Sequence, residues 1–153
     1  MSRKVRYFSE MITVLSFGFD DKTHTDIAFE IRRKVFVDEQ HVSREEEYDA
    51  NEEVSRHYLV YADELPVGTA RWRKTESGIK LERFAVLKEF RNSGAGSAVL
   101  NEVMDDVLRT NEKIYLHAQI TAVNFYFKAG FVIEGDEFIE ANIRHYKMAW
   151  RMV

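Results

Sequence analysis

The stretch of this 153-residue chain best suited to chemistry is Arg91-Asn92-Ser93-Gly94-Ala95-Gly96-Ser97, set between a strand-like run and a well-patterned helix. Two glycines let a backbone turn sharply and approach a ligand closely, and the unpaired amides of a first helical turn favour negative charge. The segment therefore suits a phosphate or pyrophosphate. A dinucleotide fingerprint wants a third glycine where the chain has Val99, and a triphosphate loop wants a Lys-Ser/Thr pair after its last glycine; neither is present. The remaining alternative is a glycine-rich helix start that holds no ligand.

The other reactive side chains narrow the chemistry further. With no cysteine, disulfides, thiolate metal sites and a cysteinyl acyl intermediate are all excluded. His24, His41, His57, His117 and His145 show none of the paired spacing that metal ligands use, so no metal is expected. Twenty-two basic and 26 acidic residues are intermixed for a net charge of −4, which leaves no broad cationic field for a nucleic-acid backbone. The acidic run between Asp38 and Glu53 hints at a cationic acceptor.

These groups need a fold to position them. A chain of this length supports one domain with a real core. Arg3, Lys4 and Arg6 ahead of Ile12 to Phe19 superficially resemble a secretion signal, but Glu10 interrupts it and Asp20-Asp21-Lys22 stands where small residues are needed for cleavage. Residues 1–10 are read as a leader and 11–153 as the domain. No segment approaches the roughly 20 apolar residues of a membrane-spanning helix, and the absence of cysteine fits a cytoplasmic protein.

Period-two runs predict strands over Met11 to Phe17, His57 to Ala62, Val67 to Arg73, Ile79 to Val86 and Ile114 to Ala118, with two more near Phe131 to Ile133 and Tyr146 to Met152. The second and third form a hairpin across Asp63-Glu64-Leu65-Pro66. Helical spacing marks Thr25 to Val37, capped near Thr25 or Asp26, Ser97 to Arg109, and Ala122 to Ala129 before Gly130. Asp38 to Arg56 reads as a solvated acidic connection with one short helix at most. The strand–helix–strand unit around the glycine loop predicts a sheet that turns from antiparallel to parallel partway across.

Arg91, Gly94 and Gly96 resemble the Arg/Gln-X-X-Gly-X-Gly/Ala coenzyme signature of the GNAT superfamily of acetyl-coenzyme A dependent N-acetyltransferases. Glu82-Arg83-Phe84-Ala85-Val86 before the loop and Asn124-Phe125-Tyr126-Phe127-Lys128-Ala129-Gly130-Phe131 after it extend the likeness over most of the chain. Within the superfamily the chain is similar to the ElaA/YjcF-like branch in Arg33 to Gln40, Leu116 to Gln119 and Glu140 to Met148. It departs from that branch at Asn92 and Asn142, where glycine is commoner.

The resemblance implies an α/β acyltransferase fold, with a mixed and mostly antiparallel sheet splayed at a coenzyme cleft. It implies that Phe84, Ala85 and Val86 pair with pantetheine, and that the backbone of Asn92, Ser93, Gly94, Ala95, Gly96 and Ser97, together with Arg91, holds the pyrophosphate of acetyl-CoA. A backbone N–H near Ala85 polarises the thioester carbonyl, and Asn124 and Lys128 brush the coenzyme. Tyr126 matches the family tyrosine; a phenol pKa of roughly 10 against roughly 8.5 for a thiol lets it protonate the departing sulfur. A core aromatic on an amphipathic helix is its alternative reading.

A base must also take a proton from the acceptor amine. Glu82, counted onto the same strand face as Phe84 and Val86, is the first candidate, and His117 at the end of the next strand is the second. Glu39, Gln40, Arg71 and His145 are assigned to the acceptor pocket. The expected activity is direct acetyl transfer to a primary amine of a small molecule or peptide through a ternary complex. The rivals are an acyl-CoA sensor without turnover and a nucleotide-binding protein using the same loop. Oligomeric state, a homodimer included, stays open.

Overall fold

The structure is a computed structural model that describes residues 11–151; the leader assigned to residues 1–10 lies outside them. Alternating runs form β1 (Ile12–Phe17), β2 (Arg56–Ala62), β3 (Leu65–Thr75), β4 (Gly78–Val86), β5 (Ile114–Gln119), β6 (Phe131–Ile133), β7 (Phe138–Glu140) and β8 (Ile143–Trp150). They join in one sheet of order β1-β2-β3-β4-β5-β8-β6, with β7 also paired to β8. Only β4 and β5 run parallel, joined by the helix α3 (Ala95–Val107); every other pair is antiparallel. The expected change of sheet direction falls at that crossover.

Opposite faces of the strands bury against opposite helices. Tyr58 and Val60 of β2 pack with Val99, Leu100 and Val103 of α3, while Leu59 between them packs with Phe17, Ala28 and Ile31 on the other side. The latter helix, α1, spans Lys22–Arg32 and runs on as a π-helical segment over Arg33–Glu39. Its cap is Asp21, whose side chain accepts from the backbone N–H of His24 at 3.2 Å, rather than Thr25 or Asp26. Thr25 is instead buried inside the first turn, with its hydroxyl donating to the Phe19 carbonyl at 3.3 Å.

The acidic connection departs from its reading as a solvated surface. Beyond the short helix α2 (Arg44–Glu47), Glu47 and Glu52 are both buried and enclose the buried guanidinium of Arg32. Arg32 Nη2 reaches Glu52 Oε2 at 2.8 Å. A charge is tolerated in an interior only when partners replace its water, and here the segment's acids are those partners.

Two features of β4 create the cleft. Its pairing with β5 stops at Leu81 opposite Leu116, so the last residues of both strands separate. Its pairing with β3 slips between Thr69↔Ala85 and Arg71↔Glu82, which inserts one extra residue in β4, and Arg83 there adopts φ 58°. Such a bulge reverses the alternation of faces. Ile79 and Leu81 belong to the α3-side core and Ala85 to the α1-side core, with Phe84 and Val86 back on the α3 side.

Candidate active site

The glycine loop makes the sharp turn into a helix that its composition predicts. A 3-10 turn over Lys88–Phe90 is followed by Asn92 at φ 66° and Gly94 at φ 93°, and α3 starts at Ala95 with no side-chain cap. Left-handed φ is accessible to glycine and to asparagine, so both residues meet a backbone demand. The N–H groups of the first turn have no acceptor one turn behind them. Ser93 Oγ accepts from the Ala95 amide at 3.3 Å, and Gly96 presents a bare backbone above the Phe125 ring, which a β-carbon would meet at 3.5 Å.

A cavity of about 480 Å³ lies against this turn and joins one of about 740 Å³ through shared walls at Phe84, Ala85, Val86, Arg91, Thr121 and Tyr126. Together they fill the gap between the separated ends of β4 and β5. Tyr126, on the helix α4 (Val123–Lys128), stands where they meet, with Phe84, Phe125 and Phe131 edge-on around its ring. Burial pushes its phenol pKa above the ordinary range, which keeps the hydroxyl protonated as a donor.

A profile of the acetyltransferase (GNAT) domain matches residues 20–152. The chain belongs to the GNAT acetyltransferase family. A relative in Bacillus subtilis (strain 168), the uncharacterised N-acetyltransferase YjcF, is 42% identical over 123 residues, covering 79% of this chain and 88% of that protein. The crystal structure of Escherichia coli ElaA superposes with a TM-score of 0.83 at 22% identity, covering 92% of this chain and 100% of that one. The PaiA N-acetyltransferase from Thermoplasma acidophilum, solved in complex with coenzyme A, gives 0.67 at 16% identity over 93% of this chain and 99% of its own.

In this GNAT acyltransferase Phe84, Ala85, Val86, Arg91, Asn92, Gly94, Gly96, Ser97 and Tyr126 all line the joined cleft. Ser93 and Ala95 line neither cavity; Ser93 Oγ donates to the Phe90 carbonyl and accepts from the Ala95 amide within the loop. Asn124 and Lys128 are exposed on α4 and line neither cavity. Gln40, His117 and His145 line the larger cavity, where Gln119 Nε2 donates to Gln40 Oε1 at 2.8 Å across the opening.

Two residues assigned to the acceptor pocket stand elsewhere. Glu39, at the end of the π-helical segment, takes both Arg91 Nη groups at 2.6 Å, while Arg91 Nε donates to the Val86 carbonyl at 3.1 Å. Arg71 is fully buried beneath the site, with Nη1 at 2.9 Å from Glu52 Oε1 and Nη2 at 2.9 Å from Asp49 Oδ2 and 3.0 Å from Glu82 Oε1.

Glu82 lines the cavity but sits on the face opposite Phe84 and Val86, because the bulge at Arg83 intervenes between them. Arg73 Nε lies 2.8 Å from its carboxylate and Lys80 Nζ 3.3 Å. Burial works to raise its pKa, but the Arg73 hydrogen bond and the charges of Arg71 and Lys80 outweigh it and hold Glu82 at about 2.

Glu140 was missed as a site residue by the sequence reading. β7 and β8 are joined through Ala141 and Asn142, at φ 52° and 62°, the two-residue primed turn of a tight hairpin. Its register puts Glu140 opposite Ile143, and β8 in turn pairs His145 with Gln119 and Lys147 with His117. Glu140 Oε1 comes within 3.0 Å of His117 Nδ1. A two-residue hairpin through Asn142 is the signal that would have found it.

Proposed function

We propose that this enzyme transfers an acetyl group from acetyl-coenzyme A directly to a primary amine of a small molecule or peptide, within a ternary complex. The observation that carries this reading is one continuous cleft shared by the open amides of the α3 N-terminus, the β4 end freed from β5, and Tyr126. A diphosphate fits the first of these, since Asn92 and Gly94 hold the loop open and Gly96 leaves its approach clear. An extended amide-bearing arm fits the second, because strand backbone without a neighbouring strand pairs with such a chain. The coenzyme A complex of the Thermoplasma PaiA protein, which shares the fold, agrees with that choice of ligand.

Acetyl-coenzyme A supplies a thioester whose carbonyl carbon accepts the amine and whose C–S bond breaks as the N–C bond forms. The backbone N–H near Ala85 polarises that carbonyl. The protonated amine gives up one proton before attack and another as the amide forms; one reaches the departing sulfur and the other leaves to solvent. Tyr126 serves the sulfur as a hydrogen-bond donor. With its pKa raised, full transfer to a free thiolate runs uphill, so its contribution comes while negative charge builds on sulfur.

Of the two candidate bases His117 fits better. A carboxylate at about 2, held by two guanidinium groups and an ammonium, has little affinity for an amine proton, and Glu82 serves to set the charge of the wall instead. His117 is half-buried and faces the cavity.

Thiol release from acetyl-coenzyme A against a panel of amines, amino acids and peptides tests the reading, paired with calorimetry of coenzyme A. The expected result is micromolar binding and release with a subset of amines. Binding without release across the panel would favour the sensor, and preference for ATP or NAD over coenzyme A would end the proposal.

A further inference from the structure

Beside the proposed base His117, the wall of the larger cavity carries Glu140 and His145. His117 on β5, Glu140 on β7 and His145 on β8 share its wall, and Phe138 contacts both imidazoles, edge-on to His117 at 5.0 Å and stacked on His145 at 5.7 Å. His145 is buried, and its Nδ1 lies 2.7 Å from the Ile143 carbonyl oxygen. A carbonyl can only accept, so His145 carries its proton on Nδ1. Its Nε2 is then 4.0 Å from Glu140 Oε2, beyond hydrogen-bond range.

Glu140 is therefore free to serve His117. Its Oε1 stands 3.0 Å from His117 Nδ1, and the hydrogen bond holds its own pKa below the usual carboxylate range, so it accepts and does not donate. Resting on the acetyl-transfer reading above, we infer that Glu140 is the positioning residue of the base: it fixes the proton of His117 on Nδ1 and so leaves the Nε2 lone pair to take the amine proton. An imidazole in water favours the opposite tautomer, with the proton on Nε2, which has no lone pair there to offer. Once Nε2 is protonated, the same carboxylate balances the imidazolium.

The hairpin explains why this carboxylate is so placed. Ala141 and Asn142 give a tight turn, and only that two-residue register puts Glu140 on the same sheet face as Phe138 and His145. His145, with its Nδ1 engaged by the Ile143 carbonyl and its Nε2 4.0 Å from Glu140, does not compete with His117 for that carboxylate.

Nitrogen-15 NMR of the His117 ring in the intact protein, recorded where the ring is neutral, decides the matter with two variants. The wild type is expected to show the proton on Nδ1. Glu140→Gln keeps an acceptor, so it retains that tautomer and loses activity only severalfold; Glu140→Leu moves the proton to Nε2 and lowers kcat by roughly 100-fold with coenzyme A affinity unchanged. A wild-type ring protonated on Nε2, or an unaltered ring in Glu140→Leu, would overturn the assignment. Retained coenzyme A binding shows that either variant is folded. Absence of transfer by the wild type with the tautomer as expected would instead count against the amine-acetylation reading alone.

Discussion

At the α3 end the cleft is shaped by backbone conformation, with Asn92 and Gly94 at positive φ ahead of the helix start, whereas at the β7 end its polar character comes from side chains, His117, Glu140 and His145, on a cavity that also reaches the carboxylates of a buried lattice of ion pairs. The first end depends on backbone conformation, and under the proposed function it takes the coenzyme, a ligand that never changes. The second depends on which side chains project from three strands, and under the same proposal such a surface can be recut for different acceptors without disturbing the loop. The two ends meet at shared walls that include Val86, Arg91 and Tyr126.

The lattice beneath the acceptor end is the place where this contrast breaks most severely. Arg71 holds Asp49, Glu52 and Glu82 together in the interior, so Arg71→Met leaves three carboxylates without their shared cation. Denaturant unfolding should show a loss of about 3–5 kcal/mol. Tyr126→Phe tests the junction: kcat should fall about 100-fold, with coenzyme A affinity by calorimetry within threefold of the wild type.

Acid unfolding separates two carboxylates within the larger cavity's end. Glu82 has a folded pKa of about 2 against an ordinary value of 4.5, so its stabilisation is complete above about pH 4.5 and fades as pH falls through about 2. Glu47 works the other way, because burial raises its pKa and protonation relieves part of that cost. Stability measured across that window should therefore decline in the wild type and decline less steeply in Glu82→Gln. The smallest effect is expected from Glu39→Gln. The pair it breaks is half-exposed, and coenzyme A affinity should drop about threefold as Arg91 loses its anchor, with kcat unchanged.

Much of the fold was legible because it follows local periodicity. The strand alternation in β2, the helical stripe of α3 and the glycine loop before it were each readable from a few consecutive residues, and they sufficed for the mixed sheet and for the loop that walls the smaller cavity. The helix cap was misplaced by several residues, since Asp21, Thr25 and Asp26 are all competent caps and only the packing of Thr25 against the Phe19 carbonyl excludes it. The acidic connection was misjudged for a related reason. Composition reports the charges of Glu47 and Glu52 but not that Arg32 and Arg71 wait for them in the core.

The acceptor end shows the limit most clearly. Counting by twos along Ile79 to Val86 put Glu82 beside Phe84, and the bulge at Arg83 sends them to opposite faces. Sequence by itself determined most of the elements, the glycine loop at the start of α3 and the place of Tyr126 on the helix after β5, because backbone conformation and hydrophobic period are set by neighbours along the chain. Tertiary structure alone decided that Glu82 is held ionised by the cations around it, that Arg71 is buried, that Glu39 clasps Arg91 and that Glu140 reaches His117. Those contacts join residues 11 to 52 positions apart, and a pairing at that range depends on register, where one inserted residue exchanges the two faces of a strand.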